Sequence, residues 1–213
     1  MSAYNECYVY DASSILGEFF DYMTKDMHYK MDEAFELLAS SNIGTSFGHG
    51  NPKYVAGVSG PELAWKLLYE VFGTWEEPVE STITLNRSLE YWVGWVLAQY
   101  QWTKNVSFRY LIDHGLTASK VASRYILHEA DVSKFFEFAD SVIEEAKTDE
   151  EPALKRLRKY YELTQKQLSE KSGVSLRMIQ LYEQKQADIS KAQVNIVTAL
   201  AEALSCSVED LVG

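Results

Sequence analysis

The stretch from 164 to 183 limits the possible folds of this chain more than any other feature. Thr164 and Gln167 have the spacing of a capping box, in which each side chain hydrogen-bonds the backbone of the other, so a short helix is predicted to begin here. Gly173 follows where the chain has to turn sharply, a position that favours a positive φ angle. Ser175 is then placed to cap a second helix. The pattern predicts two short helices that meet at a tight turn, which is a helix-turn-helix.

The surrounding residues resemble a known family. Leu168, Val174, Ile179 and Tyr182 have the spacing of one shared core. Together with a preceding helix and later apolar positions, they make residues 153–213 similar to a Cro/C1-type (Xre-type) helix-turn-helix domain. The later positions are Ile196, Val197, Leu200, Ala201 and Leu204. The resemblance implies a sequence-specific transcriptional regulator that binds a double-stranded DNA operator, usually as a homodimer on paired half-sites.

The DNA contacts of that family can be assigned to matching positions. Gln165, at the start of the first helix of the motif, resembles the residue that hydrogen-bonds a phosphate. The recognition helix, which lies in the major groove, would present Ser175, Leu176, Arg177 and Gln180. Arg177 is expected to bind a guanine edge and Gln180 an adenine edge. Lys185 and Lys191 flank the next loop and are expected to meet phosphates.

Two positions depart from the family pattern. The family often has glycine just after the recognition helix, where this chain has Lys185. Leu176 is apolar where many relatives carry a polar residue that reads a base. For Leu176, a contact with a thymine methyl group and a partly buried side chain both remain open.

Charge is distributed unevenly along the chain. The formal net charge of −11 by itself argues against a nucleic-acid partner. Residues 1–152 contain 11 Lys and Arg against 24 Asp and Glu, whereas residues 153–213 contain 9 against 7. All nine of these cations fall within 153–191, together with only four acids. A basic patch attached to an acidic body is common in DNA-binding proteins that carry a second, regulatory domain.

Two domains are therefore predicted, an acidic helical domain over 1–147 and the DNA-binding domain over 148–213. Leu89–Trp102 is apolar on nearly every face, which predicts a central buried helix in the first domain. A last long helix is predicted from the apolar stripe Val132, Phe135, Phe136, Ala139, Val142 and Ile143. The whole chain is expected to be all-α, an N-terminal helical domain followed by a five-helix Cro/C1-type domain.

The remaining boundaries rest on local signals. Thr148 and Glu151 form a further capping-box pattern, which predicts that the next helix spans about 149–162. Asn42–Ser59 and Gly73–Arg87 are expected to be loops, and the stretch 82–85 (Thr-Ile-Thr-Leu) is the one candidate strand.

The first domain carries two features that suit binding to a partner. A helix with aromatic residues on several faces leaves some rings at the surface, where they favour protein or ligand contacts. The stretch 50–57 presents polar and aromatic groups between two glycines. The candidate partner-binding residues taken from these features are Asn51, Lys53, Tyr54, Trp95 and Trp102.

Three segments of the first domain also resemble an all-helical domain that precedes Xre-type domains in some bacterial regulators. They are GNPKYVAG at 50–57, YWVGW at 91–95 and LHEAD at 127–131. The resemblance implies an antitoxin of a toxin–antitoxin pair. Its helical domain would hold a toxin, for example one that resembles an ADP-ribosyltransferase, and its DNA-binding domain would repress the operon. An acidic domain suits this role because it could cover a basic cleft.

No pattern indicates an enzyme, a metal site or a cofactor. The four histidines lack metal-ligand spacing, no phosphate-binding glycine motif is present, and Cys7 and Cys206 lie at opposite ends of the chain. No apolar run is long enough for a membrane span, and the first residues lack the features of a signal peptide, so we expect a cytoplasmic protein without membrane contact.

Two other functions remain open. The first is a stand-alone repressor whose N-terminal domain senses a small molecule in an aromatic pocket. The second is an enzyme fused to a DNA-binding domain, which would require a polar cluster among His49, Asn51, Tyr54 and His128.

Overall fold

The structure, a computed structural model, describes residues 2–73, 80–81, 87–149 and 151–212. The only regular elements in this part of the chain are helices, which confirms the all-α prediction. The chain divides into two compact units, Met1–Thr148 and Asp149–Gly213, here called the N-terminal unit and the C-terminal unit.

The N-terminal unit contains nine helices among its described residues. They are α1 (Val9–Lys25), α2 (Met31–Ser40), α3 (Asn42–Gly48), α4 (Pro52–Val55), α5 (Gly60–Phe72), α6 (Leu89–Lys104), α7 (Phe108–Asp113), α8 (Ala118–Ala122) and α9 (Val132–Asp149). Short 3-10 turns precede α1 at Glu6–Tyr8 and α9 at Tyr125–Glu129.

Helices α1 and α6 form the centre of this unit. The predicted central helix is confirmed, because Val93, Val96 and Leu97 on α6 are fully or almost fully buried. The two helices approach closely at Gly94, where a Cβ atom would overlap the backbone carbonyl of Leu16. Close backbone approach allows the side chains on either side of the contact to interdigitate densely.

The stripe predicted for the last long helix also lies on the core. Phe135, Ala139, Val142 and Ile143 of α9 are buried in the same cluster as α1 and α6. The rings of Phe135 and Tyr100 meet edge to face, with their centroids 6.1 Å apart. An edge-to-face contact of this kind suits the charge distribution of two aromatic rings.

The prediction of a loop over 42–59 is wrong, since this stretch contains α3 and α4. Ser41 caps α3 by accepting a hydrogen bond from the backbone N–H of Gly44 at 2.8 Å. Ile43 and Phe47 bury their side chains in the core, which outweighs the low helix propensity of the glycines. The predicted loop that begins at Gly73 and the candidate strand over 82–85 lie largely or wholly outside the described residues.

The C-terminal unit has the five predicted α-helices. They are α10 (Ala153–Tyr160), α11 (Gln165–Ser172), α12 (Leu176–Glu183), α13 (Val194–Leu204) and α14 (Glu209–Val212), with a 3-10 turn at Ile189–Lys191. The expected core is confirmed, because the four apolar residues of the motif are buried in one cluster with residues of α10, α13 and α14.

The predicted start of the first helix of this unit is wrong. Thr148 and Asp149 continue α9, and α10 begins only after Pro152. A proline disfavours helical backbone in the residue before it, and Glu151, which precedes Pro152, is not helical. The carboxylate of Glu151 instead pairs with Lys155 at 3.2 Å and Lys159 at 2.6 Å.

None of the helices in the described part of the chain combines the length and apolar character needed to cross a membrane.

Candidate DNA-binding surface and partner-binding residues

The motif between α11 and α12 has the geometry that its sequence predicts. The Thr164 hydroxyl accepts from the N–H of Gln167, whose side chain accepts from the N–H of Thr164 at 2.8 Å, which completes the capping box. Gly173 has a φ angle of 72°. Ser169 donates its hydroxyl to the carbonyl of Val174 at 2.6 Å, which ties the turn to α11. The orientation of α12 is thus set by local hydrogen bonds as well as by the core.

A buried ion pair links three helices behind this motif. The guanidinium of Arg158 on α10 donates to both carboxylate oxygens of Glu183 on α12, at 2.6 and 2.8 Å. Gln165 on α11 donates its side-chain amide to the same carboxylate at 2.8 Å. The side chain of Glu183 is only 2% exposed and that of Arg158 13% exposed. These three residues, here called the Arg158 network, hold α10, α11 and α12 in one arrangement.

The network also fixes the charge state of its arginine. Its hydrogen bond to Glu183 raises the pKa of the Arg158 guanidinium above the ordinary value. Arg158 donates a further bond to the carbonyl of Leu163 at 2.7 Å. Because a buried carboxylate is costly without a partner, this permanently charged and well-bonded arginine makes Glu183 tolerable in the interior.

The residues assigned to base reading lie at the N-terminal end of α12. Ser175 caps the helix, accepting a hydrogen bond from the N–H of Met178 at 3.3 Å. Arg177 is exposed and makes no hydrogen bond or ion pair within the described residues. Gln180 is half-buried one turn further on, and Leu176 is 37% exposed, so its side chain is available at the surface.

The two lysines assigned to phosphates flank the next turn. Lys185 is exposed and has a φ angle of 56°, the left-handed conformation in which the family often has glycine. Lys191 ends the 3-10 turn, and its ammonium lies 3.3 Å from the carboxylate of Asp188. The Lys191 side chain is 83% exposed, so solvent screens this ion pair strongly.

A family model described as Helix-turn-helix matches residues 154–211. Residues 154–211 form a helix-turn-helix domain of the Cro/C1 type. This match supports a DNA-binding transcriptional regulator. The match covers most of the C-terminal unit and none of the helices α1 to α9.

No curated protein and no solved structure matches the chain.

Three of the candidate partner-binding residues, Asn51, Lys53 and Tyr54, lie at α4, and a fourth, Trp102, contacts the N-terminal segment of the chain. Asn51 caps α4 by accepting from the N–H of Lys53 at 3.1 Å, and the Lys53 ammonium lies 5.1 Å from the centre of the Tyr54 ring. The indole N–H of Trp102 donates to the carbonyl of Tyr4 at 2.8 Å. Gly50, next to Asn51, also packs against Tyr4. Asn51, Lys53 and Tyr54 thus form a capped surface turn, whereas Trp102 anchors the N-terminal segment.

The fifth candidate, Trp95, lies at a different place. It lines a cavity of about 230 Å³ within the N-terminal unit. This aromatic cavity is lined by Arg87, Tyr91, Trp92, Trp95, Val96, Tyr125, Leu127, His128, Ala130, Val132 and Phe135. The segments 91–95 and 127–131 therefore meet at one cavity.

In the described part of the chain, the two histidines of the polar cluster required for a fused enzyme line different cavities. His128 lines the aromatic cavity, whereas His49 lines another one, next to Thr45. The imidazole Nδ1 of His49 lies 2.8 Å from the Thr45 carbonyl. Within the part of the chain that the structure describes, no group of three or more His, Cys, Asp or Glu is placed to hold a metal ion.

The sequence analysis missed the Arg158 network, and it offered an aromatic pocket only as an alternative whose lining residues it did not give. Arg158 and Glu183 are 25 positions apart, and each reads in sequence as an ordinary surface charge. Glu183 falls on the same face of α12 as the buried Ile179, which is the one local sign that its side chain points inward. The aromatic cavity depends on contacts between α6, α9 and the turn between α8 and α9, and no local pattern predicts such contacts.

Proposed function

We propose that this protein is a repressor of its own operon and the antitoxin of a toxin–antitoxin pair. The C-terminal unit occupies the operator as part of a homodimer, and the N-terminal unit binds the toxin. The observation that carries the DNA-binding half of this proposal is the exposed N-terminal end of α12, where Arg177 is free within the described residues. A guanidinium in this position can donate two hydrogen bonds to a guanine edge in the major groove.

The proposed phosphate contact of Gln165 is compatible with the Arg158 network. Only one N–H of the Gln165 amide is needed for its bond to Glu183, so the second N–H remains for a phosphate oxygen. Glu183 thereby positions the amide before DNA arrives. Pre-positioned groups lose less conformational entropy on binding.

The antitoxin half rests on charge and on the surface turn at α4. The acidic excess of residues 1–152 suits a basic partner, because complementary charge steers association and disfavours acidic competitors. Asn51, Lys53 and Tyr54 form a turn whose shape is fixed by the cap on α4. A rigid turn with one half-buried tyrosine suits a protein contact.

Two measurements test this proposal. Tagged full-length protein is first used to capture a stoichiometric partner from native extract. The partner is then expressed alone and together with this chain. We expect growth arrest in the first case and rescue in the second, whereas a partner whose expression leaves growth unchanged would contradict the antitoxin role.

The DNA-binding half is tested separately by selecting sequences from a random duplex library with the same full-length protein. We expect an inverted repeat, since a homodimer places two recognition helices on two half-sites about one helical turn apart. The double variant Arg177→Ala/Gln180→Ala is the matched control. It should lose operator binding and retain rescue, because the two activities are assigned to different units.

A second candidate function is a regulator whose N-terminal unit senses a small molecule. The aromatic cavity favours it, because it is open space lined by half-buried rings. Operator affinity that changes with a ligand would distinguish this function from the antitoxin role.

A further inference from the structure

The walls of the aromatic cavity are held in fixed positions by contacts between rings. The Trp92 ring meets Tyr125 and Phe135 edge to face, with centroids 5.6 and 5.8 Å apart. His128 stacks on Tyr125 at 4.2 Å with only 7° between the ring planes, and its Nδ1 lies 2.6 Å from the Tyr125 carbonyl. Because a carbonyl can only accept, Nδ1 carries the hydrogen, and the orientation of the imidazole is set. A cavity with fixed walls keeps its shape without a ligand.

The charge of the cavity is opposite to that of the unit around it. Its lining residues within the described part of the chain include Arg87 and no carboxylate, although residues 1–152 carry 24 acids. The Arg87 guanidinium lies 5.3 Å from the centre of the Tyr91 ring, so an aromatic face holds the cation beside the cavity. The Glu129 carboxylate is 3.9 Å from Nε2 of His128 but does not line the cavity. Repulsion between an anion and the more distant acids is screened over about 8 Å at physiological salt. The local cation therefore decides which charge the cavity favours.

The volume of the cavity suits a small occupant. Ligand pockets for drug-sized molecules measure about 300–1,000 Å³, and this cavity of about 230 Å³ is smaller. It suits one flat ring system with a short polar substituent, on the order of 10–15 non-hydrogen atoms. Flat rings gain most from walls formed by tryptophan, tyrosine and phenylalanine.

We propose that the aromatic cavity binds a small planar aromatic anion. Its ring lies against Trp92, Trp95 and Phe135, and its carboxylate accepts hydrogen bonds from Arg87. This inference deepens the second candidate function and rests on it for its biological purpose. It does not depend on the antitoxin role.

The test is a titration of the full-length protein with indole-3-acetate and with benzoate, followed by calorimetry. The neutral indole-3-acetamide is the matched ligand, since it has the same ring and nearly the same shape. We expect the carboxylate to bind about tenfold more tightly than the amide or better, because a charge-assisted bond to arginine is stronger than a neutral one. Equal affinity for acid and amide, or no binding of either carboxylate, would overturn the proposal.

Three variants assign the effect to the cavity. Arg87→Gln should abolish the preference for the carboxylate and leave amide binding unchanged. Arg124→Gln is the matched control, because the Arg124 guanidinium also lies over an aromatic ring, that of Phe138 at 5.1 Å, but does not line the cavity. Ala130→Trp places a ring at the exposed edge of the cavity and should prevent binding of both ligands. A carboxylate preference that survives Arg87→Gln would overturn the proposal.

The operator affinity of the protein is then compared with and without the bound carboxylate. A change supports sensing, whereas an unchanged affinity contradicts the sensor function and leaves the ligand site intact. The failure of the site and the failure of the function can thus be distinguished.

Discussion

The N-terminal unit buries many aromatic rings, such as those of Phe19, Phe20 and Phe47, around α1 and α6, which approach closely at Gly94. In the C-terminal unit, Tyr182 is the only aromatic ring among the described buried residues. The longest α-helix of the C-terminal unit, α13, has 11 residues, and its four other α-helices have eight or fewer. A small unit buries a smaller fraction of its surface and has less hydrophobic stabilisation. It adds the buried Arg158 network. We therefore expect packing to dominate the stability of the first unit, and the Arg158 network to contribute a larger share of the stability of the second.

The largest expected effect is the loss of stability when the Arg158 network is broken. Arg158→Ala leaves the Glu183 carboxylate buried with the Gln165 amide, and we expect it to destabilise the C-terminal unit by about 3–5 kcal/mol. All five tryptophans precede residue 103, so their emission reports the N-terminal unit alone. Denaturation followed by circular dichroism should therefore show an earlier transition that tryptophan emission does not follow.

Arg156→Ala is the matched control for this variant, since Arg156 is an exposed residue on the same helix. It should change stability little. If Arg156→Ala and Arg158→Ala prove equally destabilising, the network does not have the role assigned to it here.

Gly94→Ala tests how much the close packing of α1 and α6 contributes to the stability of the N-terminal unit. The added methyl group would overlap the Leu16 carbonyl and force α1 and α6 apart, with an expected cost of about 1–3 kcal/mol or more. In this variant the tryptophan-monitored transition should move to lower denaturant. Gly48→Ala is the control, because its added methyl group would lie 3.4 Å from the flexible side chain of Gln101. If Gly48→Ala destabilises the protein as much as Gly94→Ala does, the close contact between α1 and α6 is not the cause of the loss.

Arg177→Ala separates the two units by function. We expect it to weaken binding to the selected operator by about 1–3 kcal/mol, and to relax specificity at one base position. Lys191→Ala should instead weaken all sequences alike and reduce the salt dependence of binding by about one ion. Competition binding at several salt concentrations measures both effects. Unchanged operator affinity for Arg177→Ala would remove this residue from base reading.

The smallest expected effect concerns Lys185. Lys185→Gly relieves the left-handed backbone strain and should stabilise the C-terminal unit by about 1 kcal/mol, while it removes a cation that we propose contacts a phosphate. Lys185→Ala removes the same charge and keeps the strain, so it should weaken DNA binding equally without stabilising the unit. Thermal denaturation and operator titration of both variants check this. Equal stability of the two variants would show that the φ angle costs nothing.

The elements that could be predicted from the sequence are those set by local signals, such as helix caps and glycine turns. Thr164, Gln167 and Gly173 act within a few positions of one another, so the helix-turn-helix could be predicted without knowledge of the rest of the fold. The same kind of signal failed at Thr148 and Glu151, where Pro152 and the continuation of α9 decided the helix boundary. It also failed over 42–59, where burial of Ile43 and Phe47 made helices of a glycine-containing stretch.

The sequence by itself determined the all-α fold class, the helix-turn-helix and the basic charge of residues 153–191, because each depends on periodicity, capping or composition along the chain. Only the tertiary structure decided that Glu183 is buried against Arg158, and that Arg87 and Trp95 border one cavity. Such pairs are separated by many residues in the chain. Their meeting is fixed by how helices pack, and packing depends on the shapes of all the side chains at once.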